Sequence, residues 1–169
     1  DQARIPTVIC DVVQTDNTLE HLVSAINEII VRGTYYVNGE MLTMSERYLK
    51  LLCSHLGNSV GGIIDIKEKK EDYVVVERQV ILNRPRLEEV VKELSTGQLQ
   101  ILSLITYICA NVHLNSLVVI DEPEVHLHPR LITNFVKTLN ELLESFDSYA
   151  IIATHSPLVV RECVQKMFI

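Results

Sequence analysis

Asp121 and Glu122 stand side by side at the end of an apolar run, Leu117-Val118-Val119-Ile120. Four apolar residues leading into two acids predict a buried parallel strand that ends at a polar site. Carboxylates at such a position are costly to bury unless a metal, a hydrogen-bond network or catalysis needs them. Taken alone, the pair fits an ordinary surface Asp-Glu equally well, so the flanking elements have to decide.

Upstream, Ser95 and Gln98 have capping-box spacing. The run from Leu99 to Ile108 is apolar on nearly every side and predicts a buried helix. Its start carries Ser95, Thr96, Gly97 and free backbone N–H groups, a combination suited to a phosphate and equally to a well-capped core helix. Downstream of the acids comes Pro123-Glu124-Val125-His126-Leu127-His128-Pro129. Pro129 suits a first helical turn. Leu131, Ile132, Phe135, Val136, Leu139, Leu142 and Leu143 then recur at helical spacing to about Ser145. Tyr149–Ala153 is a second short apolar strand, halted by Thr154-His155-Ser156-Pro157, where Ser156 can cap a last helix.

Residues 95–165 therefore read helix, strand, helix, strand, helix. That alternation implies an α/β fold, a parallel sheet with flanking helices. Polar chemistry in such sheets collects at the carboxyl ends of the strands. Asp121, Glu122 and His155 all fall there. A histidine placed beside an acid pair by independent strand logic points to function more than to structure.

These residues resemble a family. Leu94-Ser95-Thr96-Gly97-Gln98 is similar to the signature of ABC-type P-loop NTPases, with Thr96 where glycine is usual. Leu117–Glu122 resembles the Walker B strand with its catalytic glutamate, Val125–His128 takes the place of the D-loop, and His155 resembles the switch histidine. The wording Asp-Glu-Pro-Glu-Val-His-Leu-His-Pro, with Thr-His-Ser-Pro later, is similar to the DNA-repair and anti-phage ATPases, the OLD, Septu and retron-associated proteins among them, more than to transporter subunits. The resemblance implies ATP and Mg²⁺ as cofactors. Asp121 would hold the Mg²⁺ shell, Glu122 would orient or deprotonate the attacking water, and His155 would contact the γ-phosphate. Ser95, Thr96, Gly97 and Gln98, with His128 at the interface, would meet a nucleotide held by an opposing subunit. The implied assembly is a homodimer or higher oligomer closed around ATP, with a nuclease as a further candidate partner.

A complete ATPase of this kind needs a phosphate loop, G-x-x-x-x-G-K-[ST]. None of the six glycines, Gly33, Gly39, Gly57, Gly61, Gly62 and Gly97, is followed by lysine. The first strand of the sheet is not apparent either. The ABC-type domain is therefore expected to be incomplete, a part of a longer ATPase or a half-domain completed by another chain. Alone, it is expected to bind nucleotide weakly or not at all.

With 169 residues, the chain is long enough for a real core, and 47% hydrophobic with 22% charged residues is ordinary for a globular protein. A net charge of −7 argues against a simple basic DNA-binding surface. Lys67, Lys69 and Lys70 are balanced by Glu68, Glu71 and Asp72, and Arg84-Pro85-Arg86 is the other basic cluster. No apolar run is long enough for a membrane span. Cys10, Cys53, Cys109 and Cys163 form no metal-type pair and suggest thiols in a reducing, cytoplasmic compartment. His126 and His128 lack a third ligand and make a weak metal pair.

Residues 1–92 read as a helical arm plus a β-hairpin ahead of the ATPase half at 93–169. An amphipathic helix spans Thr18 to Val31 and stops at Gly33, a turn falls at Asn38-Gly39, and a helix capped by Ser45 runs to Gly57. Gly62–Glu68 and Asp72–Leu82 predict two strands joined by a charged turn at Lys69-Lys70-Glu71. Three functions stand open: the catalytic part of a dimerising ATPase in DNA repair or phage defence, a degenerate module lending its signature helix to an intact partner, and a scaffold that gates a nuclease.

Overall fold

The computed structural model describes residues 4–10, 18–32 and 62–163. The expected Asn38-Gly39 turn, the Ser45 helix and the Gly33 stop lie outside the described residues. The chain forms two compact units. One comprises residues 17–94. The other joins residues 1–16 to residues 95–169, so the extreme N-terminal segment, which the sequence placed with the arm, belongs with the α/β half.

In the α/β unit, three strands pair in parallel in the order β1 (Thr7–Cys10), β4 (Leu117–Asp121), β5 (Tyr149–Ala153). Strand β1 was not expected. Four residues are too few to show a period, and only its pairing with β4, Thr7 to Leu117 through Cys10 to Ile120, makes it a strand. It takes one side of β4 while β5 takes the other, so the acid pair ends a central strand rather than an exposed edge. The starts of β4 and β5 are tied at one level. The Ser116 N–H donates to Ser148 Oγ at 2.9 Å, the Tyr149 N–H donates to the Ser116 carbonyl at 3.0 Å, and Ser148 Oγ donates to the His113 carbonyl at 3.1 Å.

Three helices belong to this unit: α3 (Thr96–Asn111), α4 (Pro129–Ser145) and α5 (Pro157–Cys163). Helix α3 buries Ile101, Leu102, Leu104, Ile105, Ile108 and Cys109, as its all-round apolar composition requires. Helix α4 turns a stripe from Ile132 to Leu143 inward, with Phe135 fully buried. Val8, Cys10, Val118 and Ile120 complete the core from the sheet. The alternate residues face the other way. Ile9, Val119 and Ile151 lie in one register row, and Ile9 and Ile151 are 62% and 57% exposed. One sheet face is thus packed and the other presents an apolar row.

In the second unit, α1 (Thr18–Arg32) buries Leu22, Ile26 and Ile29. Strands β2 (Ile64–Glu71) and β3 (Val74–Leu82) form an antiparallel hairpin. Its turn is Asp72-Tyr73, not Lys69-Lys70-Glu71. Both residues have positive φ, 48° and 67°, which suits the twist of a tight two-residue hairpin, and the register irregularity at Lys69/Lys70 lets β2 run further than its charge suggested. Helix α2 (Arg84–Glu93) was also not anticipated. Asn83 caps it, accepting from the Arg86 N–H at 3.1 Å, and a proline sits in its first turn. The Arg84-Pro85-Arg86 cluster is therefore a helix start whose charges meet carboxylates. Arg84 pairs with Glu20 and with Glu88 at 3.4 Å, and Arg86 pairs with Glu89 at 3.0 Å.

Among the described residues, Phe135 is the largest fully buried side chain. Phe135→Ala leaves a ring-sized cavity under the sheet and is expected to cost about 3–5 kcal/mol. The shift of the urea unfolding midpoint measures it.

Candidate functional site at the carboxyl edge of the parallel sheet

Parallel pairing of β4 and β5 puts Asp121 opposite Ala153, so both strands end at one level. The ladder then makes one more bond, from the Glu122 N–H to the Ala153 carbonyl at 2.8 Å. Glu122 adopts φ +43°, a left-handed conformation uncommon outside glycine, and this turns its side chain out of the strand direction. Its Oε1 lies 2.9 Å from His155 Nε2. The His155 side chain is 90% exposed and that of Glu122 41%, so the pair sits open to a ligand. Asp121 is exposed beside them. The three residues expected at the strand ends are brought together.

Glu124 was not singled out from the sequence. Its Oε1 accepts from the Thr154 hydroxyl, from the His155 N–H at 3.0 Å and from the Ser156 N–H at 3.1 Å. Its Oε2 is buried without a hydrogen-bond partner. Burial alone would push this carboxyl up, but the bonds from the Thr154 hydroxyl and the His155 and Ser156 N–H groups, with the nearby N–H of Glu124 itself, outweigh it. The carboxyl sits below its ordinary value of 4.5 and stays ionised at neutral pH. The sequence signal was slight, a third acid two residues after a strand-end pair, and its partners, one hydroxyl and two backbone N–H groups, lie some thirty positions away.

The start of α3 meets the same loop. The capping box is present in both directions, with the Gln98 N–H donating to Ser95 Oγ at 3.3 Å and the Ser95 N–H donating to Gln98 Oε1 at 3.0 Å. The N–H groups of Thr96 and Gly97 then have no partner within the helix and point from its first turn. Gly97 is buried, and a Cβ there would come 3.1 Å from Leu131 Cδ1, 3.4 Å from Leu127 Cδ2 and 3.5 Å from the His126 carbonyl. The small residue thus lets α3 approach the loop of its own chain. Gln100 Nε2 donates to the Pro123 carbonyl at 3.2 Å. After Glu122, His126 is the second residue of this loop with positive φ, +68°. His128 is the cap of α4, with Nδ1 accepting from the Arg130 N–H at 3.3 Å. Among the described residues no group of three His, Cys, Asp or Glu is placed to hold a metal ion. Also among the described residues, no helix is long and apolar enough to cross a membrane.

Over 76 residues, 45% of the chain, the sequence is 45% identical to protein ea59 of Escherichia phage lambda. That stretch is 14% of the phage protein, so the chain spans a small part of that relative's length. The fold has a coarse likeness to the ATP-binding cassette MJ1267 of an ABC transporter in its ADP conformation, with TM-score 0.47 and 19% identity, covering 93% of this chain and 54% of that one. Residues 61–161 match the family described as "AAA domain, putative AbiEii toxin, Type IV TA system". More than half of the chain lies within that match, and the chain belongs to this family of nucleotide-binding AAA-type ATPase domains.

Proposed function

We propose that this chain is the hydrolytic part of an ATPase that closes as a dimer around ATP and serves in phage defence or DNA repair. The observation that carries the reading is the Glu122–His155 contact of 2.9 Å beside Asp121 at the carboxyl edge of a parallel sheet. Glu122 is partly exposed and can accept a proton from water or orient it, and His155, whose Nε2 faces Glu122 Oε1 here, can swing that N–H onto a γ-phosphate oxygen when nucleotide is bound. Phosphoryl transfer of this kind is positioning and electrostatics more than covalent chemistry.

Asp121 fits Mg²⁺, a hard cation that takes one or two carboxylates and completes its shell with water and substrate phosphates. When bound, it would neutralise developing charge on the phosphates. The free N–H groups of Thr96 and Gly97 and the Ser95 hydroxyl form an anion-binding helix start. In this reading they face the nucleotide of the opposing subunit, with His128 at the same interface. The row Ile9, Val119 and Ile151, whose outer members Ile9 and Ile151 are exposed, is an apolar face that the rest of a complete ATPase domain, with its phosphate loop, would cover. The family description names a toxin system and the phage relative is a viral protein, which supports a setting of conflict between phage and host. A nuclease controlled by the nucleotide state is the partner this setting favours.

In the full-length protein, Glu122→Gln keeps the shape of the side chain and removes the base. Turnover should fall by about 10²–10⁴ while ATP binding persists, and wild-type rates from the variant would sink the assignment. His155→Ala should lower kcat with little change in unfolding midpoint, because the side chain is almost wholly exposed. A core histidine would show the reverse.

Ser95→Asp tests the trans arrangement. Aspartate caps a helix as well as serine does, so folding should be unaffected, yet it sets a negative charge against the phosphates. The variant should bind ATP but fail to hydrolyse it. Mixed with Glu122→Gln, it forms heterodimers in which one composite site collects both lesions and the other is intact. Hydrolysis should return in the mixture. Its absence from demonstrated heterodimers would overturn the trans placement of Ser95.

A further inference from the structure

We infer that Glu124 is a positioning residue, whose carboxylate holds the backbone of Thr154–Ser156 and thereby sets His155 against Glu122. The inference rests on the hydrolytic reading of Glu122 and His155 given above. The His155 ring is 90% exposed, so packing cannot hold it. Its place is set by its backbone and by Glu122. The backbone is held by one oxygen, Glu124 Oε1, which takes the His155 N–H at 3.0 Å, the Ser156 N–H at 3.1 Å and the Thr154 hydroxyl. Thr154 Oγ1 also accepts from the Ser156 N–H at 3.0 Å, which closes the turn on itself.

Glu122 and Glu124 flank Pro123 on one short turn, fixed by bonds from the Val125 N–H to the Glu122 carbonyl at 3.2 Å and from the Leu127 N–H to the Glu124 carbonyl at 2.9 Å. The two acids therefore grip the segment after β5 at two points, Glu122 at the ring and Glu124 at the main chain. An ionised carboxylate with one oxygen buried and unpaired persists only where the bonds to its other oxygen compensate. Three charge-assisted donors on Oε1 meet that need. Ionised carboxylate oxygens only accept, and every group offered to this one is a donor.

The test uses the full-length protein. Glu124→Ala should lower kcat about 10–10²-fold, the scale of a misplacement of roughly 1 Å, and leave KM for ATP nearly unchanged. Glu124→Gln keeps a carbonyl oxygen at the same reach and should recover most of the loss. Glu124→Asp is one methylene short and should not. In a His155→Ala background, Glu124→Ala should cause no further loss, because it acts through His155. Multiplying losses would overturn the proposal.

Hydrogen exchange read by mass spectrometry supplies an arm that needs no activity. In Glu124→Ala, the amides of residues 154–160 should exchange at least about tenfold faster while the sheet is unchanged. Unchanged exchange in that segment would refute the clamp. Should Glu124→Ala unfold throughout, equal exchange and equal kcat in the Gln and Asp variants would refute it instead. If His155→Ala hydrolyses ATP at the wild-type rate, the hydrolytic reading fails, and the exchange arm still decides whether Glu124 holds the segment.

Discussion

The parallel register of β4 and β5 is the constraint on which the site depends. Because Leu117 pairs with Tyr149 and Asp121 with Ala153, two strands separated by a whole helix finish at the same height. Whatever follows each strand must then meet at one edge. The ties between Ser116 and Ser148 at the opposite ends hold that register, since a parallel pair has no hairpin turn to set it. A slip of one residue would turn Val118 and Ile120 out of the core and carry Glu122 away from His155.

The loop from Glu122 to His128 turns this register into a site. It is held from three directions: by the residues after β5 through Glu122 and Glu124, by α3 through Gln100 and the close approach at Gly97, and by α4 through the His128 cap. That restraint allows Glu122 and His126 to keep positive φ, which costs of order 1–3 kcal/mol per residue where nothing compensates. Strain supported by so many contacts is consistent with a loop whose conformation matters for chemistry.

The same contacts connect the candidate phosphate-binding helix start to the candidate water-activating acid within one chain. Gly97 lies against Leu127 and Leu131, and Gln100 bonds the residue next to Glu122. A nucleotide that pulled on the first turn of α3 would therefore load the loop carrying Glu122 directly.

Local physics made much of this legible in advance. The capping box at Ser95, the stripe from Leu131 to Leu143 and the apolar runs ending at Ile120 and Ala153 need only neighbours in sequence, and each appears where its period puts it. The assembly of Asp121, Glu122 and His155 followed because strand ends in a parallel sheet share an edge. Strand β1 was not legible, because four residues carry no period and its partner lies more than a hundred positions away. Helix α2 was obscured by a basic cluster whose charges turn out to meet carboxylates of its own unit. The hairpin turn was misplaced because charge marked it less well than backbone conformation does. Gly97 was notable in sequence as part of a helix start suited to a phosphate, but that its own Leu127 and Leu131 lie against it is a fact of packing. Glu124 was hard to find, since two of its three partners are main-chain N–H groups that carry no residue identity, and all three lie some thirty positions away. The amino-acid sequence alone determined the chemical groups and the strand ends that gather them. The tertiary structure decided which carboxylate faces the imidazole and which grips the backbone, because that depends on hydrogen bonds between segments whose proximity only the folded sheet creates.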